Sequence, residues 1–156
     1  MSSGMRFLDI PWKTTLAETE KIFSEKNYSL RRKQRYENAT FANVGEPLQF
    51  VDVPATYFTM YYSFVENEDG SLNSDEDKVF LFCVKGGFST PMVDQLKQNI
   101  EEFYQLSDKD LVKEKDGTWE WLLGTVVLEL NIWSDHKASM EMRDLDAESM
   151  RNKMLR

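Results

Sequence analysis

Thr125-Val126-Val127-Leu128-Glu129-Leu130-Asn131-Ile132-Trp133, then Ser134-Asp135-His136, then Lys137-Ala138-Ser139-Met140-Glu141-Met142-Arg143, is the stretch whose reading decides the fold. Val126, Leu128, Leu130 and Ile132 fall on one side of an extended chain, and Thr125, Val127, Glu129, Asn131 and Trp133 on the other. That is the period-two alternation of a strand covered on one face. Ala138, Met140 and Met142 alternate in the same way with Lys137, Ser139, Glu141 and Arg143. The three-residue link reads as a hairpin turn, so the two runs pair antiparallel.

Working upstream, Trp119, Trp121 and Leu123 share a face, and the inward parity changes across Gly124, which predicts a bulge or tight bend there. Asp116-Gly117 is a hairpin-turn dipeptide that pairs residues 111–115 with the strand carrying Trp119. Residues 79–84 are apolar on both faces, the pattern of a central strand. Phe58, Met60, Tyr62 and Phe64 line one face of a further strand, opposite Tyr57, Thr59, Tyr61 and Ser63. Residues 28–35 and 48–53 are weaker strands, and Pro47 and Pro54 suggest edge positions for the second.

Two helices stand out. Thr15-Leu16-Ala17-Glu18 is a capping box, with Leu16, Thr19, Ile22 and Phe23 as an inward stripe running to about Lys26. Thr90 caps a second helix with Pro91 in its first turn, and Val93, Leu96, Ile100 and Phe103 recur at helical spacing, widened by Met92 and Tyr104. The end, residues 146–156, has acids early and bases late and reads as a short dipole-matched helix. Residues 66–77 form an acidic loop between convincing strands. The expected fold is α+β: an antiparallel sheet with two principal helices packed on it plus the short C-terminal helix. Residues 1–156 form one domain, with helix-plus-meander halves at 5–66 and 78–145.

At 156 residues one core is expected, burying roughly two thirds of the unfolded chain's surface. A net charge of -8 argues against nucleic acid as a partner, because phosphate neutralisation needs a dominant basic field. One cysteine forms no internal disulfide, which suits the cytoplasm. No run reaches 18 apolar residues, so no membrane insertion is expected. Met1-Ser2-Ser3-Gly4-Met5 lacks the character of a signal peptide, although export with a leader already removed fits the same residues.

Phe7-Leu8-Asp9-Ile10-Pro11-Trp12, followed at once by a capped helix, resembles the opening of small bacterial α+β proteins, often exported, of the β-lactamase-inhibitor-like group. In that group a helix-plus-meander unit occurs in tandem. The resemblance implies binding rather than catalysis and carries over no functional residue.

Candidate chemistry is sparse. His136 falls in the hairpin turn with no second His to complete a zinc shell. Cys83 alternates with apolar neighbours and reads as a small buried hydrophobe. Glu120, between two tryptophans, and Glu129, in an apolar strand, are candidates for a general acid, but alternation puts both on the solvent side. The acidic loop fails as an EF-hand, since Gly70 at the sixth place puts Val65 first. Lys85-Gly86-Gly87-Phe88-Ser89 reads as a strand-to-helix turn that could offer amides to an anion, or as a plain connection. The basic run Arg31-Arg32-Lys33-Gln34-Arg35 either receives an acidic partner or pairs with the acidic loop. Outward Tyr57, Tyr61 and Trp133 are residue types of binding hot spots, unless the sheet is covered on both faces.

These readings point to a non-enzymatic protein- or ligand-binding module with no catalytic residue, metal or cofactor. Its candidate binding residues are Tyr57, Tyr61, Trp133, Lys85, Gly86 and Gly87, and a homodimer is one form it could take. The alternative is a small enzyme using surface carboxylates or the anion-binding turn. Glu120, Glu129 and Lys85 converging in a deep pocket would favour the enzyme, and a flat aromatic sheet face would favour binding.

Overall fold

A computed structural model describes residues 5–36, 39–45 and 48–154. In chain order its elements are α1 (Leu16–Glu25), β1 (Leu30–Arg35), β2 (Ala39–Val44), β3 (Gln49–Phe50), β4 (Val53–Pro54), β5 (Tyr57–Ser63), β6 (Val65–Glu66), β7 (Leu72–Asn73) and β8 (Phe80–Ser89). A 3₁₀ segment, Pro91–Gln95, leads into α2 (Leu96–Phe103), and another, Asp108–Asp110, precedes β9 (Leu111–Lys115); β10 (Thr118–Leu123), β11 (Val126–Ser134), β12 (Lys137–Asp144) and α3 (Leu145–Met154) follow. The fold is α+β. Eight strands form one antiparallel sheet in the order β1-β2-β5-β8-β12-β11-β10-β9. From either edge to the middle, the strands follow in chain order, and β8 meets β12 at the centre.

The decisive hairpin forms, with Leu128 opposite Met142, Leu130 opposite Met140, and Asp135-His136 between the paired Ser134 and Lys137. Leu123 pairs with Val126, so the parity change at Gly124 is a two-residue turn, Gly124-Thr125, with Gly124 at φ 63°. Asp116 and Gly117, at φ 47° and 82°, make the other expected turn. Both residues then have the left-handed conformation that a two-residue hairpin with matching twist requires.

Side chains from every part of the chain meet in one core. Met60, Val84, Met142, Leu128 and Trp121 form a buried cross-strand row, and Leu16, Phe23, Leu96 and Ile100 from the helices join the same cluster. The Thr15 hydroxyl accepts from the Glu18 amide at 3.2 Å to start α1, and Asn27 at φ 61° follows its end. Among the described residues no helix is long and apolar enough to cross a membrane.

Three expectations are corrected, and one strand is added. Phe103 is 67% exposed, and Tyr104 turns inward instead, its hydroxyl donating to the Arg6 carbonyl at 2.7 Å. Val93 and Leu96 are one 3₁₀ turn apart, after which the α-helical step of four runs through Ile100 to residue 104. Residues 48–53 do not edge the main sheet. They contribute to a separate small hairpin, β3 with β4, whose turn residues Val51 and Asp52 sit at φ 45° and 67°; Pro47 lies outside the described residues. The stretch 85–89 is no turn but the second half of β8. Finally β2, unsuspected in the sequence, lies between β1 and β5. Of the C-terminal helix, residues 155–156 lie outside the described set, as do residues 1–4 of the N-terminal reading.

Candidate functional site

The register of the eight strands assigns each side chain to a face. One face is the core. On the other, a row of polar residues crosses the whole sheet: Arg32, Asn43, Thr59, Lys85, Glu141, Glu129, Glu120 and Lys113, one from each strand in spatial order. Glu129 is directly opposite both Glu120 and Glu141. Glu141 is 3.5 Å from the Lys85 ammonium and 3.7 Å from Arg143, whereas Glu129 accepts only from the Asn131 amide, at 3.1 Å, among the described residues.

Beside this row runs a second, Tyr57, Gly87, Ser139, Asn131, Thr118 and Lys115. Two exposed aromatics frame it. The Tyr57 ring, 48% exposed, occupies the space where a Cβ of Gly87 would be, and the Trp133 indole, 71% exposed, donates to Ser139 Oγ at 3.1 Å. On the far side of the polar row lie Phe41, Tyr61, Cys83 and Arg143. The Lys85 ammonium stands 5.2 Å from the centre of the Tyr61 ring. Burial pushes the Tyr61 hydroxyl above its ordinary value, with Lys85 opposing.

The structure therefore brings Tyr57, Tyr61, Trp133, Lys85 and Gly87 to one face. Gly86 belongs to the other, where a Cβ would run into the buried Phe58 ring. Both glycines stand in the middle of the sheet, paired with β5 on one side and β12 on the other, so their peptide groups serve the ladders rather than an anion. The glycines are there because a ring from β5 overlies each.

Glu120, Glu129 and Lys85 share one row on an open face and do not meet in a closed cavity. His136 is in the turn, its Nδ1 2.7 Å from Asp135. Cys83 is buried, and that burial pushes its thiol up from 9.0 to about 12. Lys33 and Arg35 of the basic run pair with Glu76 at 3.0 Å and Asp75 at 2.8 Å, so the acidic segment pairs with two of the run's four basic residues. Among the described residues no group of three His, Cys, Asp or Glu is placed to hold a metal ion.

α3 borders this face at the end opposite Trp133. Asp144 caps it by accepting from the Ala147 amide at 3.1 Å, and Glu148 accepts from Arg143 at 2.8 Å. Between helix and sheet lies a groove of about 350 Å³, lined by Phe41, Tyr61, Phe82, Cys83, Arg143 and Arg151 among others.

Sequence reasoning missed two parts of this surface, Glu141 in the acidic row and Arg151 in the groove. The first was within reach, because Glu129 and Glu141 are nearly equidistant from the hairpin turn. Arg151 approaches the sheet through tertiary packing that no local pattern encodes. Compared with protein-family models, curated proteins and solved structures, the chain matches none.

Proposed function

We propose that the chain is a non-enzymatic binding module that takes a basic protein segment on the open face of its sheet. In this reading α1 and α2 lie over the face carrying Met60 and Leu128, which leaves the opposite face open apart from the end that α3 borders, and the two helix-plus-meander halves act as one platform. The role is the kind that the β-lactamase-inhibitor-like resemblance implies. A cytoplasmic site of action belongs to the same reading, with Cys83 as a reduced thiol.

One observation carries it. Glu120, Glu129 and Glu141 face one another across three adjacent strands, an arrangement that disfavours folding, since like charges directly opposite repel. Beside them stand an exposed tryptophan and a half-exposed tyrosine, the residue types that supply large rigid contact area at low entropic cost. Lysine or arginine side chains of a partner would relieve the repulsion while its apolar groups cover the rings. Electrostatic capture of this kind is fast and weakens as salt rises.

The test is affinity capture from native lysate at low and high salt, with the wild-type chain, Trp133→Ser and Glu129→Gln. The expected result is a set of basic proteins that salt releases and that both variants lose, with thermal midpoints no lower than that of the wild type. Capture unchanged by either substitution would refute the reading, and so would unfolding of Trp133→Ser. Light scattering of the same three proteins tells a second copy of this chain from a foreign partner.

A further inference from the structure

We propose that the groove between α3 and the sheet binds a small organic carboxylate with a flat apolar body, its carboxylate held by Arg151. This site adjoins the acidic row at Lys85 and Glu141 but is centred on Arg151, and it goes beyond the protein-binding reading.

The walls come from both sides. Phe41 and Tyr61, whose ring centres are 4.7 Å apart, and the buried Cys83 form the floor, and α3 supplies the other side. With its proton held to about pH 12 the Cys83 thiol is neutral, so this floor is apolar. A volume of about 350 Å³ is at the small end for ligand sites and accommodates a one-ring molecule.

The charges are unequal. Lys85, Arg143 and Arg151 line the groove against only Glu141 and Glu148, in a chain whose net charge is -8. Both carboxylates are already engaged, Glu148 by Arg143 and Glu141 by Arg143 and Lys85. Among the described residues no carboxylate pairs with Arg151. Its Nε–H is buried without an acceptor, and its guanidinium lies over the Phe82 ring, 4.9 Å from the ring centre. A buried donor left unpaired is costly, and a planar guanidinium matches the two oxygens of a carboxylate. Displacing water from Phe41, Tyr61 and Phe82 calls for an apolar body behind that carboxylate, which favours an aryl carboxylate over inorganic phosphate.

The experiment titrates the full chain with benzoate, its neutral isostere benzamide, and phosphate, following backbone amide and Arg151 Nε–H signals by NMR. Benzoate should shift Arg151 Nε–H together with Phe82 and Cys83, and bind at least about tenfold tighter than benzamide or phosphate, as expected for a charge-assisted pair backed by apolar contact. Arg151→Gln should lose that preference, and Arg151→Lys, with the charge but not the fork, should recover only part of it. Equal affinity for benzoate and benzamide, or no shift at Arg151 in the wild type, would overturn the site. The wild-type comparison stands even if a variant misfolds. Phosphate binding as tightly as benzoate would also overturn it, by showing an anion site with no use for the apolar walls. Because Trp133 and Glu129 lie outside the groove, their variants should bind benzoate normally whether or not the protein-binding reading survives.

Discussion

A methyl group added at Gly86 would meet the ring of Phe58, and one added at Gly87 the ring of Tyr57. The two neighbours differ in what can give way. Phe58 is buried among Phe7, Phe50 and Phe88, so Gly86→Ala overpacks the core and should cost roughly 1–3 kcal/mol. Tyr57 is half-exposed and can swing into solvent, so Gly87→Ala should change stability by under about 0.5 kcal/mol while displacing the ring from the open face. Urea unfolding of the two variants checks the contrast, and equal losses would contradict the facial assignment. Cys83 supplies a pH test. Its folded-state pKa is raised from 9.0 to about 12, so the stability from keeping the thiol neutral is fully present below pH 9.0 and is lost as pH rises toward 12. Three units correspond to at most about 4 kcal/mol. Tyr62 and Tyr104, also pushed up by burial, act with the same sign above pH 10.0. Urea unfolding at pH 7, 9 and 10 should show Cys83→Ala losing less stability than the wild type as pH rises.

At the scale of elements, α2 shows where local pattern stops being informative. Ile100 is fully buried and Phe103 largely exposed, although both are apolar residues on the stripe that the sequence presents. Ile100→Ala should therefore cost about 2–5 kcal/mol, and Phe103→Ser less than about 1 kcal/mol, with thermal unfolding as the measure. The long strands and their turns were legible because alternation in β5, β11 and β12 and the glycines at 117 and 124 are local signals with one physical meaning. So were the caps at Thr15 and Thr90. β2 was not, since Ala39, Thr40, Ala42 and Asn43 give little contrast between faces, and its burial comes from neighbours remote in sequence. Gly86-Gly87 misled for the same reason: two glycines signal a turn locally, while here they admit two rings from the adjoining strand. Of the candidate site, alternation located Tyr57, Tyr61 and Trp133 on outward positions. The strand order that makes them neighbours of Lys85 and of the glutamate row is a property of the pairing.

At the scale of the whole molecule, an acidic chain places three of its carboxylates side by side on β12, β11 and β10, flanked by Lys85 on β8 and Lys113 on β9. If the row serves a basic partner, stability and binding pull in opposite directions at Glu129. Glu129→Lys turns a run of three like charges into alternating ones and makes the net charge less negative by two units. Each opposite-charge pair across strands contributes roughly 0.2–1 kcal/mol and each like-charge pair opposes folding, so the variant should be more stable by roughly 0.5–1.5 kcal/mol at low ionic strength. That gain should shrink as salt is added, because these side chains are half-exposed and screened beyond a Debye length of about 10 Å at 0.1 M. Capture of the basic partner should fall in the same variant, since the new ammonium repels what the row attracts. Paired measurements of urea midpoint and capture at two salt concentrations decide it. A variant that gains stability and keeps its partner would show the row to be an unrelieved electrostatic cost with no bearing on binding; one that loses stability would show that the carboxylates do not face one another as the register places them.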